Sequence, residues 1–217
     1  MNIDVSLTEL TPICQVFMQH SCYMKRAYRQ TRRARSSAQT RGRIVDAAIQ
    51  LHTTVGPAKT TISAIAERAG VERLTVYRHF PHEEELLRAC VTHGWERFPP
   101  PDHRPWAKIA DPERRLRVAL TELYDYYGAV GDALALIVQD FPRVPTLAVL
   151  NAPYLAKWEE MRDVLARGWN RRGRRRAMLL TALAHSLDLS TWESLVRRQR
   201  LSDEDAVDFL LRLNRYA

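Results

Sequence analysis

Residues 60–87 read TTISAIAERAGVERLTVYRHFPHEEELL. The stretch holds two short helical patterns joined by one glycine. In the first, Ile62, Ile65, Ala66 and Ala69 recur at the spacing of a helix face. Thr60 or Thr61 stands where a hydroxyl can accept a hydrogen bond from an orphan amide of the first turn. Gly70 suits the positive φ that ends a helix in a tight turn. A second short helix is expected from about Glu72 to His79, with Val71, Val76 and Phe80 turned inward. Pro81 closes the unit. Glu83, Glu84 and Glu85 favour the first turn of a further helix, because carboxylates oppose the positive end of the helix dipole.

Two short helices at a glycine turn meet the geometric requirement for reading a DNA major groove. The first braces across the backbone while the second lies in the groove. Their crossing needs small residues, which Ala66 and Ala69 supply. The outer face of the second helix reads as Arg73, Thr75, Arg78 and His79, with Glu72 at its start. Arginine can pair with guanine, and threonine can touch phosphate or a thymine methyl. Upstream, Ile44, Ala47, Ala48 and Leu51 mark a preceding helix that Gly56-Pro57 ends.

Residues 43–87, RIVDAAIQLHTTVGPAKTTISAIAERAGVERLTVYRHFPHEEELL, resemble the TetR family of bacterial regulators. The most specific part is TTISAIAERAGV followed by TVYRHFPHEEELL. The resemblance is sharp over residues 38–98 and weak beyond. It implies an all-α fold, with an N-terminal three-helix helix-turn-helix DNA-binding domain and a C-terminal helical dimerisation and ligand domain. It also implies roles for single residues. Thr61 matches a phosphate-contacting position, Arg73 and Thr75 match positions facing DNA, and His79 matches a variable position near the groove. Tyr77 matches a family tyrosine often found on the phosphate backbone, although its ring could equally serve packing. Arg78 reads either as a DNA contact or as a solvated helix charge. Two residues depart from the family pattern. Leu74 stands where a small residue is usual, and Glu83 where a phosphate-contacting lysine is usual. An acid there would repel DNA at close range, so affinity should lean on the basic arm from Arg32 to Arg43, with Arg41 and Arg43 nearest the unit.

The net charge of +8 over 217 residues favours a polyanionic partner. Its distribution is uneven. Residues 1–43 carry eight basic against two acidic groups, whereas residues 44–97 carry six against seven. Three cysteines, Cys14, Cys22 and Cys90, form no CxxC pair. This speaks against a disulfide scaffold or structural zinc and fits a reducing cytoplasm. The N-terminus carries Asp4 and Glu9 and lacks the clean apolar run of a secretory signal, and no stretch suits a membrane span. No cofactor, metal or membrane partner is expected. His79 and His82 lie three apart without further ligand residues. Neither a GxSxG elbow, an HExxH, a phosphate loop nor a dinucleotide glycine pattern is present, so an enzyme is disfavoured. A redox sensor using Cys14 and Cys22 has no further support. A nonspecific basic nucleic-acid binder remains the alternative.

Three segments are expected. Residues 1–37 form a basic extension: Leu7, Leu10, Ile13, Val16 and Phe17 could make a short amphipathic helix, the part from Lys25 to Arg35 is expected to lack regular structure, and a start at Met24 is an alternative. Residues 38–98 form the DNA-binding domain. Residues 107–217 follow a proline-rich connection at Phe98-Pro99-Pro100-Pro101 and Pro105. In the last segment helices are expected at Pro112–Tyr127, Asp132–Asp140, Pro153–Trp169, Arg174–Arg198 and Asp203–Tyr216. The last two carry more apolar surface than one core face needs, among them Met178, Leu187, Phe209 and Leu213, which suits a homodimer. Tyr124, Tyr127, Phe141, Trp158, His185 and Trp192 are the candidates for lining an effector pocket. RGWNRRGRRR, residues 167–176, reads as exposed charge. Together with the resemblance, this gives a double-stranded DNA operator, a second copy of the chain and a small-molecule effector as expected partners of a ligand-responsive repressor.

Overall fold

A computed structural model describes the backbone of residues 12–217 and the side chains from residue 30 onward. Every long element among them is helical: α1 (Pro12–His52), α2 (Ile62–Ala69), α3 (Arg73–His79), α4 (Glu83–Arg97), α5 (Pro112–Gln139), α6 (Pro145–Leu165), α7 (Gly173–Leu187), α8 (Leu189–Trp192) and α9 (Asp203–Tyr216). A π-helical turn, Glu193–Arg198, follows α8. Two compact units divide the chain, with the boundary between Ile44 and Val45. No helix among the described residues is long and apolar enough to cross a membrane.

In the first unit the backbone is helical from Pro12 and continues through Lys25 to Arg35, where the sequence leads one to expect no regular structure. Arginine, glutamine and alanine are good helix formers, and neither glycine nor proline occurs between Pro12 and Gly42. Leu7 and Leu10 of the expected short amphipathic helix, and the side chains of Cys14 and Cys22, lie outside the described residues.

The second unit contains both the helix-turn-helix and the later helices, where the sequence leads one to expect two domains joined by a proline-rich connection. The connection is pinned. Trp106 is fully buried and donates from Nε1 to Glu122 at 2.8 Å. Arg115 is buried and donates only to backbone carbonyls, those of Ile109, Ala110, Val164 and Arg167. Its guanidinium thereby joins the chain before α5 to the C-terminal end of α6, where a cation suits the helix dipole. On the other side α4 packs against α6, with Leu87 meeting Leu147 and Leu150 and Trp95 stacked on Tyr154 at 5.1 Å. The main core lies among α5, α6, α7 and α9, around Leu120, Leu123, Met161, Leu165, Leu183 and Leu210.

Helix limits differ from the sequence expectation at three places. A single helix, α5, covers the two expected at Pro112–Tyr127 and Asp132–Asp140. The residue read as a break, Gly131, instead allows close approach: a Cβ there would sit 2.6 Å from the Trp192 ring. Helix α6 begins at Pro145 and carries Pro153 inside it, on an exposed position. The carbonyl that Pro153 leaves without a donor belongs to exposed Val149, within reach of water. Finally, the expected Arg174–Arg198 helix stops at Leu187, because Asp188 turns extended and caps α8 by accepting from the Ser190 amide at 2.7 Å.

The two glycines of α5 should therefore respond in opposite directions. Gly131→Ala places a methyl against a rigid buried indole and should lower stability by about 1–3 kcal/mol. Gly128→Ala meets nothing within 4 Å and should raise stability by up to about 1 kcal/mol through helix propensity alone. Thermal and urea denaturation of the two variants test the pair. A stabilised Gly131→Ala would contradict the packing described.

Candidate functional site

Thr61 is the N-cap of α2, its side-chain oxygen accepting from the Ala64 amide at 3.2 Å. It is exposed, so its hydroxyl proton can still donate outward. At the other end Gly70 adopts φ 64° and ψ 43°. The Val71 amide donates to the Ala66 carbonyl at 3.0 Å and the Gly70 amide to Glu67 at 3.1 Å. This is the bonding pattern of a Schellman turn. It reverses the chain within two residues and sets α3 against α2. Ile65, Ala66 and Ala69 of α2 are buried, as are Val76 and Phe80, so the predicted inner faces hold.

At 100° per residue, Arg73, Tyr77, Leu74 and Arg78 fall on one arc of α3. All four are exposed, Leu74 at 72% and Tyr77 at 45%. Thr75 and His79 are half-buried on the flank, nearer α2's side than the outer face the sequence suggested. The outward surface of α3 is therefore two arginines interleaved with a leucine and a tyrosine. Leu74, noted in the sequence only as a departure, stands at its centre. Tyr77 is thus partly packed and partly open to solvent. Arg41 and Arg43 are exposed on α1 and belong to the first unit. Glu83 is exposed in the first turn of α4 beside Glu84 and Glu85, with Glu84 paired to Arg88.

Three of the six residues expected around a pocket come together. Tyr127, Phe141 and Trp158 line a cavity of about 650 Å³ between α4, α5, α6 and α7. Two of its aromatic polar groups are bonded in series: Trp158 donates to the Tyr127 hydroxyl at 2.8 Å, which donates to the Leu187 carbonyl at 2.7 Å. Tyr124 and Trp192 do not line it. Both are fully buried in the core, with Trp192 filling the space above Gly131. His185 is exposed and lies 3.2 Å from the Thr191 hydroxyl. An imidazole in an apolar helix invited the opposite reading, but its turn of α7 faces away from the core. Trp95 and Asn151, which the sequence did not single out, line this cavity and are bonded to each other at 2.9 Å. The i, i+4 run Leu87, Val91, Trp95 was the available signal.

A second cavity, of about 460 Å³, lies between the end of α1, α4, α5 and α6. His52 lines it and is 8% exposed. Burial pushes the imidazole down to about 4, against a smaller upward pull from Asp140. Cys90 also lines it, and burial pushes its thiol up to about 12, which leaves it protonated and unreactive. No cluster of three or more metal-binding side chains occurs among the described residues.

Residues 44–90 match the family model of bacterial regulatory proteins, tetR family. The chain is 44% identical over 61 residues to the HTH-type transcriptional regulator TtgR of Pseudomonas putida, a match covering 28% of this chain and 29% of that protein. It is 35% identical over 88 residues to an uncharacterized HTH-type regulator of Mycobacterium tuberculosis, covering 41% and 44%. The chain thus spans less than half the length of the curated relatives it matches. Among solved structures, a TetR family regulator PfmR from Thermus thermophilus aligns with a TM-score of 0.56 at 21% identity, covering 78% of this chain and 97% of that one. A TetR-like regulator from Rhodococcus gives 0.55 at 17% identity, covering 81% and 93%. At these identities the likeness is one of fold, and it extends well past the helix-turn-helix.

The lowered His52 value makes a pH prediction. Between about 4 and 6.5 the unfolded chain binds a proton at this ring that the folded chain does not. Stability contributed by the neutral ring is therefore present above pH 6.5 and lost as pH falls towards 4, by up to about 3 kcal/mol. His52→Gln should flatten this part of the stability–pH curve, while the carboxylate contributions stay common to both proteins. Equal slopes for the two proteins between pH 4.5 and 6.5 would contradict it.

Proposed function

We propose that this chain, which carries the helix-turn-helix domain of the TetR family, is a sequence-specific DNA-binding transcription regulator that works as a ligand-responsive repressor. The observation that carries the reading is the braced pair α2 and α3. A Schellman turn at Gly70 fixes the crossing, and the outer arc of α3 offers Arg73 and Arg78 to base edges or phosphates. Thr61 and Tyr77 are suited to phosphate, Thr75 and His79 to the groove wall. Leu74 offers an apolar contact of the kind a thymine methyl accepts. Arg41 and Arg43 supply backbone attraction that compensates for Glu83.

The regulator acts as a homodimer in this reading. Phe209, Leu213 and Tyr216 recur at i, i+4 and i+7 on α9 and are exposed, with Met178 exposed on α7. An apolar stripe of this kind favours a symmetric partner. The dimer would place two α3 helices about one DNA turn apart, ~34–36 Å. An effector that prefers one arrangement of the helices would shift that population and release the operator. The 650 Å³ cavity at Tyr127, Phe141 and Trp158 has the size for such a molecule.

A fluorescent duplex from the region upstream of the gene should bind the purified protein more tightly than a scrambled duplex, and the preference should survive moderate salt. Arg73→Ala should cost about 1–3 kcal/mol on the specific duplex and far less on the scrambled one. Equal binding to both duplexes, lost steeply with salt, would mean that only backbone charge is read. Separately, Phe209→Glu combined with Leu213→Glu should convert a dimer to a monomer in analytical ultracentrifugation and weaken operator binding. An unaltered sedimentation coefficient would place the dimer contact elsewhere.

A further inference from the structure

We propose that the 460 Å³ cavity at the end of α1 is a ligand site in its own right, taking a neutral, largely apolar molecule that presents one hydroxyl to His52. The cavity is walled mainly by apolar side chains, including Ile49, Val91, Val130, Leu134 and Leu147. His52 lines this wall at 8% exposure, and its ring has no hydrogen-bond partner among the described residues. The buried side-chain atoms sealed off without a partner among the described residues are Tyr124 Oη and Asn214 Oδ1, so the His52 ring is not one of them and meets the space of the cavity, where a ligand can reach it. A neutral imidazole offers one donor and one acceptor. A hydroxyl can answer either.

Charge sets the rest of the class. The charged lining is mixed, with Asp46 beside His93 at 3.4 Å and Arg97 also present, so it offers no excess of either sign to an ion. An ion of either sign would give up its hydration against an apolar wall. A neutral hydroxyl compound avoids that cost. The site differs from the 650 Å³ cavity. The two share Trp95, Leu134, Ile137 and Asn151, which form a common wall, and the Trp95–Asn151 hydrogen bond lies in it. The proposal concerns binding alone and stands whether or not the chain reads an operator.

The test is calorimetric titration of the full chain with 1-naphthol and with naphthalene, which differ by the hydroxyl. The unaltered chain should bind one 1-naphthol, roughly ten-fold more tightly than naphthalene, the worth of one hydrogen bond. His52→Phe should remove the difference while retaining naphthalene binding. Ala133→Trp, which fills this cavity only, should abolish both, and Ala135→Trp, which fills the other only, should leave both. Thermal melts establish that each variant folds. If His52→Phe does not fold, the naphthol–naphthalene comparison and the two tryptophan variants decide. Equal affinity of the two probes in the unaltered chain, loss of binding with Ala135→Trp but not Ala133→Trp, or no 1-naphthol binding up to its solubility limit would each overturn the proposal.

Discussion

The carboxylate of Asp140 joins the end of α5 to the turn that launches the helix-turn-helix. Its Oδ2 accepts from the Ala58 amide at 2.8 Å, and its Oδ1 pairs with Arg143 at 3.2 Å. The residue is buried and the bond part-buried, so it is made where water competes less than at the open surface. Gly56, at φ 90°, is shaped to the same contact: a Cβ there would stand 2.8 Å from Oδ2. Without this tie the 3₁₀ turn Pro57–Lys59 would have no fixed relation to α5, and the start of α2 would lose its position with it. His52, buried close by and neutral, depends on the same arrangement.

Around that tie, large rings against small residues set the packing. Trp192 lies over Gly131, and Trp95 stacks on Tyr154 while meeting Trp158 edge-on at 5.8 Å. Trp95 belongs to α4, whose first turn follows directly on α3. Its indole also forms part of both cavities. A molecule entering either space therefore touches a side chain rigidly attached to the helix behind α3. This is the physical requirement for linking occupancy to the attitude of the reading unit, because closely packed elements move as bodies rather than deform.

The sequence made the local structure of the reading unit legible because its signals are local. Capping by Thr61, the left-handed Gly70 and the inward set Ile65, Ala66 and Val76 depend on neighbours a few positions away. The later helices were legible as helices but not in their limits. Gly128 and Gly131 resemble a break when read along the chain, and only the distant Trp192 explains why a glycine is needed at the second. Pro145 rather than Pro153 starts α6 for a similar reason, since exposure of Val149 decides whether a proline inside a helix is tolerated. The candidate pocket was half legible. Aromatic content alone cannot separate Tyr127 and Trp158, which border empty space, from Tyr124 and Trp192, which fill the core. Thr75 and His79, read as outward, are half-buried, and Leu74 stands on the outer arc, because a seven-residue helix offers too few turns to fix its buried face from sequence.

The division of labour within α3 has an evolutionary consequence. Its hold on the protein rests on Val76, with Phe80 just beyond its end, while Arg73, Leu74, Tyr77 and Arg78 on the outer arc are exposed. Exposed positions away from caps and cores tolerate exchange at little thermodynamic cost. These four exposed positions can therefore drift without endangering the fold that carries them. If α3 reads DNA as proposed above, a lineage built on this scaffold can acquire a new DNA address by changing those four residues.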